Sequence, residues 1–205
     1  MSTLKDTYKT IEKPFTGELF KDRGSKFYGY AYPITSEDDV KPIIENLKKE
    51  HHTARHWCYA WQLGTNKIKY RANDDGEPSN SAGPPIYGQI QAYELTNILI
   101  VVVRYFGGTK LGVGGLMNAN KTAAKSVLEV ATIVEKTIDR VFVVSFDYKD
   151  MNKVMRIIKE KKLTISKQTL EINCEYTIPV RMKDAQKIFD IFNNTFGIDI
   201  KEITD

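Results

Sequence analysis

The sequence predicts an α+β protein built from two domains, residues 1–138 and 139–205. Two observations indicate this. Residues 96–106 form a nearly continuous apolar segment, typical of a central strand covered on both faces, and a glycine-rich segment and an alanine-rich helix follow it. Residues 141–203 then alternate strand and helix patterns in the order β, α, β, β, α, β.

In the first domain, hydrophobic periodicity assigns each element in turn. Two aromatic-rich strands flank the turn Arg23-Gly24-Ser25. Apolar residues from Val40 to Leu47 follow the spacing of one buried helix face, and the segment from His56 to Leu63 alternates as a strand does. The predicted strands are residues 15–20, 26–33, 56–63, 67–71 and 96–106, and helices begin near residues 40, 86 and 116.

In the second domain, the same criteria predict four strands and two helices. The strands are residues 141–146, 163–167, 171–180 and 198–203, and the helices are residues 151–158 and 184–196. This order is that of a ferredoxin-like unit.

Composition predicts a cytoplasmic protein with no membrane segment. The longest aliphatic run, Ile98 to Val103, has six residues, whereas about 20 are needed to span a bilayer. The N-terminus shows no apolar signal segment. Cys58 and Cys174 are too few for a disulfide scaffold or a four-ligand zinc site. Reduced thiols are typical of the cytoplasm.

The net charge of +4 is modest, but its distribution is uneven. Residues 140–170 carry eight basic and three acidic residues. We call the basic ones the basic stripe: Arg140, Lys149, Lys153, Arg156, Lys159, Lys161, Lys162 and Lys167. A solvated helix face explains the stripe most simply, and a phosphate-binding surface is the alternative.

The glycine loop, residues 107–115, has five glycines in nine residues between a buried strand and a helix. Backbone N–H groups and the positive end of the helix dipole favour anions there, and Arg104 and Lys110 add charge. The loop does not match the Walker A pattern, because no Gly-Lys-[Ser/Thr] ends it. It does not match G-x-G-x-x-G either, because Met117 occupies the last required position. On spacing alone, a tight turn is the better interpretation.

The acidic loop, residues 73–85, brings three carboxylates within four positions, a pattern that suits a hard cation or general-base chemistry. The EF-hand register fails, because Arg71 and Ala82 fall where ligands are required. Turn-forming residues favour a solvated turn, although the length of the loop suggests a role.

Two further clusters have simple structural explanations. His56 and Cys58 lie on one strand face, where neither a zinc site nor a nucleophile–base pair is expected. Trp57, Tyr59 and Trp61 share the other face, and packing against the first helix is more common for such residues than base stacking.

At the two loops the sequence resembles a known family. The segment NDDGEPSNSAGPPI, and about ten residues later NILIVVVRYFGGTKLGVGGL, are similar to the signature of the YigZ/IMPACT family. The resemblance is dense over residues 15–131. It extends to the last third of the chain, which resembles the C-terminal domain of bacterial members and the last domain of elongation factor G.

The resemblance implies a fold and a role. The first domain is expected to be a ribosomal-protein-like α/β sandwich with a left-handed βαβ crossover, and the second to be ferredoxin-like. Eukaryotic members regulate translation by competing for an activator of a stress-responsive initiation-factor kinase, and bacterial members have no established catalytic activity. We therefore expect a non-catalytic protein without cofactor or metal.

Transferred to this chain, the resemblance implies one binding surface for nucleic acid or a protein partner. Its residues are Arg71, Asn73, Asp74, Asp75, Glu77, Ser79, Arg104, Gly107, Gly108, Lys110, Gly112, Gly114, Gly115 and Lys121. One departure concerns the stretch from Met117 to Asn120, where the family usually has a basic residue followed by Ala-Tyr.

These observations leave three hypotheses. The leading one is a translation-linked protein that binds RNA, the ribosome or a translation factor through the two loops and the basic stripe. The second is an enzyme acting on a phosphorylated or nucleotide substrate, with phosphate on the glycine loop and magnesium on the acidic loop. The third is a protein–protein regulator whose glycines serve only the turn.

Overall fold

The structure is a computed structural model that describes residues 6–203. The chain divides into two compact units, one of residues 8–136 and the other of residues 6–7 and 137–203. Each has its own antiparallel sheet with helices packed on it, so the chain is an α+β protein, as predicted. That residues 1–138 and 139–205 are separate folding domains stays a prediction. No helix within residues 6–203 is long and apolar enough to cross a membrane.

The larger unit is built on a six-stranded sheet. From residue 7 to residue 137 the strands are β1 (Thr7–Ile11), β2 (Phe15–Thr16), β3 (Phe20–Asp22), β4 (Ser25–Pro33), β5 (His56–Leu63), β6 (Lys69–Asn73), β7 (Ile98–Tyr105) and β8 (Ile133–Thr137), and the helices are α1 (Val40–Glu50), α2 (Gly83–Ala92) and α3 (Gly112–Val130). The sheet order is β2-β4-β7-β5-β6, with β3 beside β4, while β1 pairs separately with β8.

Strand β7 is the centre of this unit, and both of its faces are buried. All six side chains from Ile98 to Val103 are fully buried. The even-numbered ones pack with α2 and α3, and the odd-numbered ones pack with α1. Strands β4 and β5 pair with β7 on its two sides, so its backbone has no free edge. The predicted central, doubly covered strand is confirmed.

Helix α3 lies close to β4 because small residues face each other there. Ala119 and Ala123 of α3 are fully buried. Opposite them on β4, a Cβ added to Gly29 would lie 2.3 Å from the carbonyl oxygen of Ala123. That distance is far inside van der Waals contact, so only glycine fits at this position.

The smaller unit follows the predicted order β, α, β, β, α, β. Its elements are β9 (Asp139–Asp147), α4 (Met151–Glu160), β10 (Lys167–Thr169), β11 (Asn173–Arg181), α5 (Met182–Asn193) and β12 (Ile198–Ile203), and the sheet order is β10-β11-β9-β12. On β9, Phe142, Val144 and Phe146 are buried and pack with the apolar faces of α4 and α5. This alternation is typical of a sheet with one covered face.

One predicted strand of the smaller unit is displaced. The sequence predicts a strand at residues 163–167, but β10 begins only at Lys167. The backbone N–H of Leu163 donates to the carbonyl of Ile158 at 2.9 Å, and the side chain of Leu163 packs on the core. Leu163 therefore closes the turn that follows α4 instead of starting a strand.

Helix α3 begins four residues earlier than predicted, at Gly112 instead of Leu116. Leu111 and Leu116 are both buried, and their packing outweighs the low helix propensity of the glycines between them.

We expect Gly29→Ala to lower the free energy of unfolding by about 1–3 kcal/mol, because the added methyl group collides with α3. Urea unfolding followed by tryptophan fluorescence measures this directly, since Trp57 and Trp61 are the chain's two tryptophans and both lie in the larger unit. The control is Gly88→Ala in α2, where an added Cβ meets nothing within 4 Å. There we expect no loss, or a gain of up to about 1 kcal/mol. Equal losses in both variants would contradict the close approach of α3.

Candidate functional site

The acidic loop and the glycine loop meet beside the ends of β5 and β7 and enclose a cavity of about 370 Å³, which we call the loop cleft. The antiparallel register pairs His56, the first residue of β5, with Arg104 near the end of β7. The residues that line the loop cleft are His56, Glu77, Pro78, Arg104, Phe106, Lys110, Leu111, Gly112, Val113 and Leu116. Two motifs that are separate in the sequence thus form one site.

A buried ion pair between Arg104 and Glu77 joins β7 to the acidic loop. Nη1 of Arg104 lies 2.5 Å from Oε1 of Glu77, and the two side chains are only 6% and 3% exposed. Nη2 of Arg104 donates to Oγ of Ser25 at 3.4 Å. The rings of Phe27 and Phe106 each lie 5.5 Å from the guanidinium carbon. Because a buried charge requires a partner, this pair fixes where the acidic loop sits.

The loop cleft combines two features that favour an anion, a helix N-terminus and a lysine at its rim. Nε of Arg104 is buried and has no hydrogen-bond partner among residues 6–203, while Glu77 balances the charge of Arg104. Helix α3 starts at Gly112, and the N–H groups of its first turn have no partner within the helix. The exposed Lys110 stands at the rim. Anions are stabilised where an N-terminal helix dipole and cationic side chains converge.

The side chain of His56 is held by the acidic loop. Its Nδ1 lies 2.8 Å from the carbonyl oxygen of Asp75, so this nitrogen donates. Its Nε2 lies 3.8 Å from Oε1 of Glu77. The imidazole therefore presents one edge to the buried ion pair.

Cys58, two residues further along β5, is a buried structural residue. Its thiol donates to the carbonyl oxygen of Asp74 at 2.9 Å. Burial raises the pKa of this thiol well above its usual range, and the nearby carboxylates of Glu77 and Asp75 raise it further. The thiol therefore stays protonated at neutral pH, which makes it a poor nucleophile.

Two carboxylates of the acidic loop hold the loop itself. Asp74 accepts hydrogen bonds from the backbone N–H groups of Asn80, Ala82 and Gly83 at 2.8–2.9 Å, and so caps the N-terminus of α2. Asp75 accepts from the N–H of Trp57 at 2.7 Å.

All three carboxylates of the acidic loop, which the enzyme hypothesis assigns to magnesium, have partners within the chain. Asp74 and Asp75 serve backbone donors, and Glu77 serves Arg104. Within the described part of the chain, no group of three acidic, histidine or cysteine side chains is arranged to hold a metal ion.

The glycines of the glycine loop have different local roles. A Cβ on Gly107 would lie 1.9 Å from the carbonyl carbon of Gly24, so this residue permits contact between two backbones. Gly108 and Gly112 have φ of +88° and +74°, which disfavours other residues. A Cβ on Gly115 would lie 2.9 Å from Leu111, whereas one on Gly114 would meet nothing within 4 Å. Backbone conformation or close contact accounts for four of the five glycines, whereas Gly114 has open space beside it at the start of α3.

The structure does not bring all the predicted site residues to the loop cleft. Arg71 and Asn73 line a groove on the opposite face of the sheet. Lys121 lies in a shallow groove between α2 and α3. Ser79 is exposed on the acidic loop. The predicted residues thus lie in one cleft and two separate grooves, and their part in binding stays a prediction.

The basic stripe is only partly free. Four of its eight residues are paired with carboxylates, in the pairs Arg140–Glu202, Lys149–Asp147, Lys153–Asp150 and Arg156–Glu160. The hydrogen bond from Arg140 lowers the pKa of Glu202 below its ordinary value. No carboxylate partner within residues 6–203 is found for the other four, which are Lys159, Lys161, Lys162 and Lys167.

Sequence reasoning missed the pairing of Glu77 with Arg104 and the contribution of Phe106. The two charged residues are 27 positions apart, and no local pattern links them. One signal was present. The alternation along β5 and β7 places His56 and Arg104 on the same face of the sheet.

Residues 23–128 match the Impact N-terminal domain. This chain belongs to the IMPACT family. The matched range contains both loops and every residue that lines the loop cleft.

Relatives extend the similarity to most of the chain. The IMPACT family member YvyE of Bacillus subtilis is 31% identical over 179 residues, which cover 87% of this chain and 82% of that protein. A crystal structure described as a hypothetical protein superposes with a TM-score of 0.72, at 22% identity and with 98% of each chain covered. At that identity the likeness shows the fold alone. YigZ of Escherichia coli is 35% identical over 115 residues, which cover 55% of this chain and 56% of that protein.

We expect Glu77→Leu to lower the free energy of unfolding by about 3–5 kcal/mol, because it leaves Arg104 charged, buried and unpaired. The double variant Glu77→Leu/Arg104→Met is expected to regain more than half of that loss, since no charge then remains buried. Urea unfolding of Glu77→Leu, Arg104→Met and the double variant measures the coupling. Lys125→Gln, which breaks the exposed pair with Glu129, is the control and should cost less than about 1 kcal/mol. Additive losses in the double variant would contradict a coupled buried pair.

We expect the Cys58 thiol to be inert in the folded protein, because its raised pKa keeps it protonated. In a Cys174→Ala background, an aromatic disulfide reagent at pH 8 should react fully in urea and more than a hundredfold more slowly without urea. Similar rates in both conditions would show that Cys58 is accessible and ionised.

Proposed function

We propose that this protein is a non-catalytic, translation-linked regulator that binds RNA on the ribosome through its loop cleft. The convergence of both loops on one cleft, with Arg104, Lys110 and the start of α3 around it, is the observation that carries the proposal. The link to translation comes from the family, because the resemblance implies that its eukaryotic members regulate translation.

Phosphate is the ligand group that the loop cleft suits best. First-turn N–H groups of a helix and a nearby lysine are a common phosphate-binding combination. Phe106 and Val113, which are 46% and 51% exposed, add an apolar rim against which a ribose or base can pack. This combination favours contact with the nucleic-acid backbone over reading of base sequence.

The unpaired lysines of the basic stripe support the same proposal. Lys159, Lys161, Lys162 and Lys167 are exposed, so a polyanion can approach them. With about five phosphates neutralised in all, the log–log dependence of affinity on salt should have a slope near −3.5 for a single strand.

Finer features of the fold belong to the same proposal. We assign the smaller unit to the ferredoxin-like type, like the last domain of elongation factor G, because of its βαββαβ order. We assign to the larger unit the ribosomal-protein-like type with a left-handed crossover. Both assignments suit a protein that meets the ribosome.

No observation favours the alternative of an enzyme acting on a phosphorylated substrate. Its magnesium ligands would be Asp74, Asp75 or Glu77, and all three carboxylates already have partners. A cysteine nucleophile is disfavoured by the burial of Cys58.

We expect the protein to co-sediment with purified ribosomes in a sucrose gradient at low salt and to be released at high salt. Lys110→Glu should abolish co-sedimentation, because it places a negative charge where phosphate is expected. The matched control is Lys67→Glu, an exposed charge reversal in the turn between β5 and β6. That turn lies at the other end of β5 from the loop cleft, so the control should behave like the wild type.

Failure to co-sediment at any salt concentration would overturn the proposal. So would co-sedimentation that Lys110→Glu and Lys67→Glu weaken equally, because the loop cleft would then have no special part in binding.

A further inference from the structure

The sheet of the larger unit carries a second concave site on the face opposite the loop cleft. A groove of about 410 Å³ lies between α1 and strands β5 and β6, and we call it the aromatic groove. Trp57, Tyr59 and Trp61 of β5 line it together with Lys48 of α1 and Arg71 of β6. The sequence predicts that these aromatic residues pack against α1, and this packing covers only part of their surface. Trp61 is buried, whereas Trp57 and Tyr59 are half-buried and border open space.

Each of the two half-buried rings has a contact to a neighbouring segment, and for Tyr59 it is a hydrogen bond of 3.5 Å from Nδ2 of Asn73 to its hydroxyl. Nε1 of Trp57 donates to the carbonyl oxygen of Leu47 at 3.4 Å, and its backbone N–H donates to Asp75 at 2.7 Å. Residues two apart on a strand point to the same side and are separated by about 6.8 Å. Trp57 and Tyr59 therefore form a pair of pre-positioned aromatic surfaces.

The aromatic groove is lined by three carboxylates and three cations. Glu37 pairs with Lys69 at 3.8 Å and Glu45 pairs with Lys41 at 3.9 Å, while Asp75 accepts a hydrogen bond from a backbone N–H and keeps its charge. Its two remaining cations are Lys48 and Arg71. Nζ of Lys48 lies 5.3 Å from the ring centre of Trp57, and Arg71 is exposed on the edge strand. Neither has an ion-pair partner within the described range of the chain.

We propose that the aromatic groove binds unpaired bases of single-stranded RNA, with bases stacked on Trp57 and Tyr59 and phosphates bound by Arg71 and Lys48. The proposal deepens the proposed function and rests on it for the choice of nucleic acid. Rings that stack and flanking cations together are typical of surfaces that bind single strands without sequence preference. An acidic peptide matches the charge but makes no use of two ring faces spaced along a strand.

Tryptophan fluorescence tests this directly. Both tryptophans of the chain lie in the aromatic groove, and Trp57 is the more exposed. Titration with an eight-nucleotide oligoadenylate should quench the emission, whereas the same strand in a duplex with oligouridylate should bind at least fivefold more weakly, because its bases are already stacked and paired.

Two variants locate the contact. Tyr59→Leu should weaken oligoadenylate binding about fivefold or more, the loss expected for one stacked base. Arg71→Gln should weaken binding and also reduce the log–log salt slope by about 0.7, the value for one phosphate on a single strand. The matched control is Tyr70→Leu. Tyr70 is an exposed aromatic residue on β6 that stacks on Tyr87 of α2, on the opposite face of the sheet. The Tyr70→Leu variant should bind oligoadenylate with the affinity and the log–log salt slope of the wild type. Circular dichroism checks the folding of each variant.

The outcomes separate this inference from the proposed function. Oligoadenylate binding that causes no quenching, or that Tyr59→Leu and Arg71→Gln leave intact, overturns the aromatic groove even if Lys110→Glu abolishes ribosome binding. Quenching by polyglutamate with equal or higher affinity also overturns it, because the groove would then be a site for acidic peptides. Quenching that requires Tyr59 and Arg71 supports the groove, whatever the ribosome experiment returns.

Discussion

The burial of β7 on both faces determines how the larger unit is arranged. Arg104 is the charged residue of this buried strand. The six aliphatic residues before it are fully buried. Because side chains alternate, Arg104 continues the face that packs against α2 and α3. A guanidinium cannot remain in such a place without a counter-charge. Glu77 supplies it, and the acidic loop is thereby drawn over the end of β7.

The carboxylates of the acidic loop hold the loop against its neighbouring elements. Asp74 binds three backbone N–H groups and so fixes the start of α2. Asp75 binds the backbone of β5, and Glu77 binds β7 through Arg104. Each carboxylate therefore ties the loop to a different element. The loop is thus held at three points, at α2, β5 and β7.

Much of the fold was predictable from the sequence, but the composition of the site was not. Periodic spacing of apolar residues identified β5, α1 and β12, and a continuous apolar run identified β7. The predicted start of α3 was wrong, because the packing of Leu111 and Leu116 outweighs the low helix propensity of the glycines between them. Both loops were recognised as candidates, yet the Arg104–Glu77 pair joins positions 27 residues apart and has no local signal. Lys121 was grouped with the loops because it is close in sequence, although its side chain lies in another groove.

Strand β5 connects the two candidate sites, and Asp75 couples them. Even-numbered residues of β5 lie on the sheet face that packs against α2 and α3, where His56 lines the loop cleft. Odd-numbered ones lie on the α1 face, where Trp57, Tyr59 and Trp61 line the aromatic groove. The carbonyl oxygen of Asp75 accepts from His56 on the first face, while its carboxylate accepts from the backbone of Trp57 at the edge of the second. A substitution at Asp75 would therefore disturb both sites at once and identify neither. Lys110 and Tyr59 each belong to one site only, so changes there separate phosphate contact in the loop cleft from stacking in the aromatic groove.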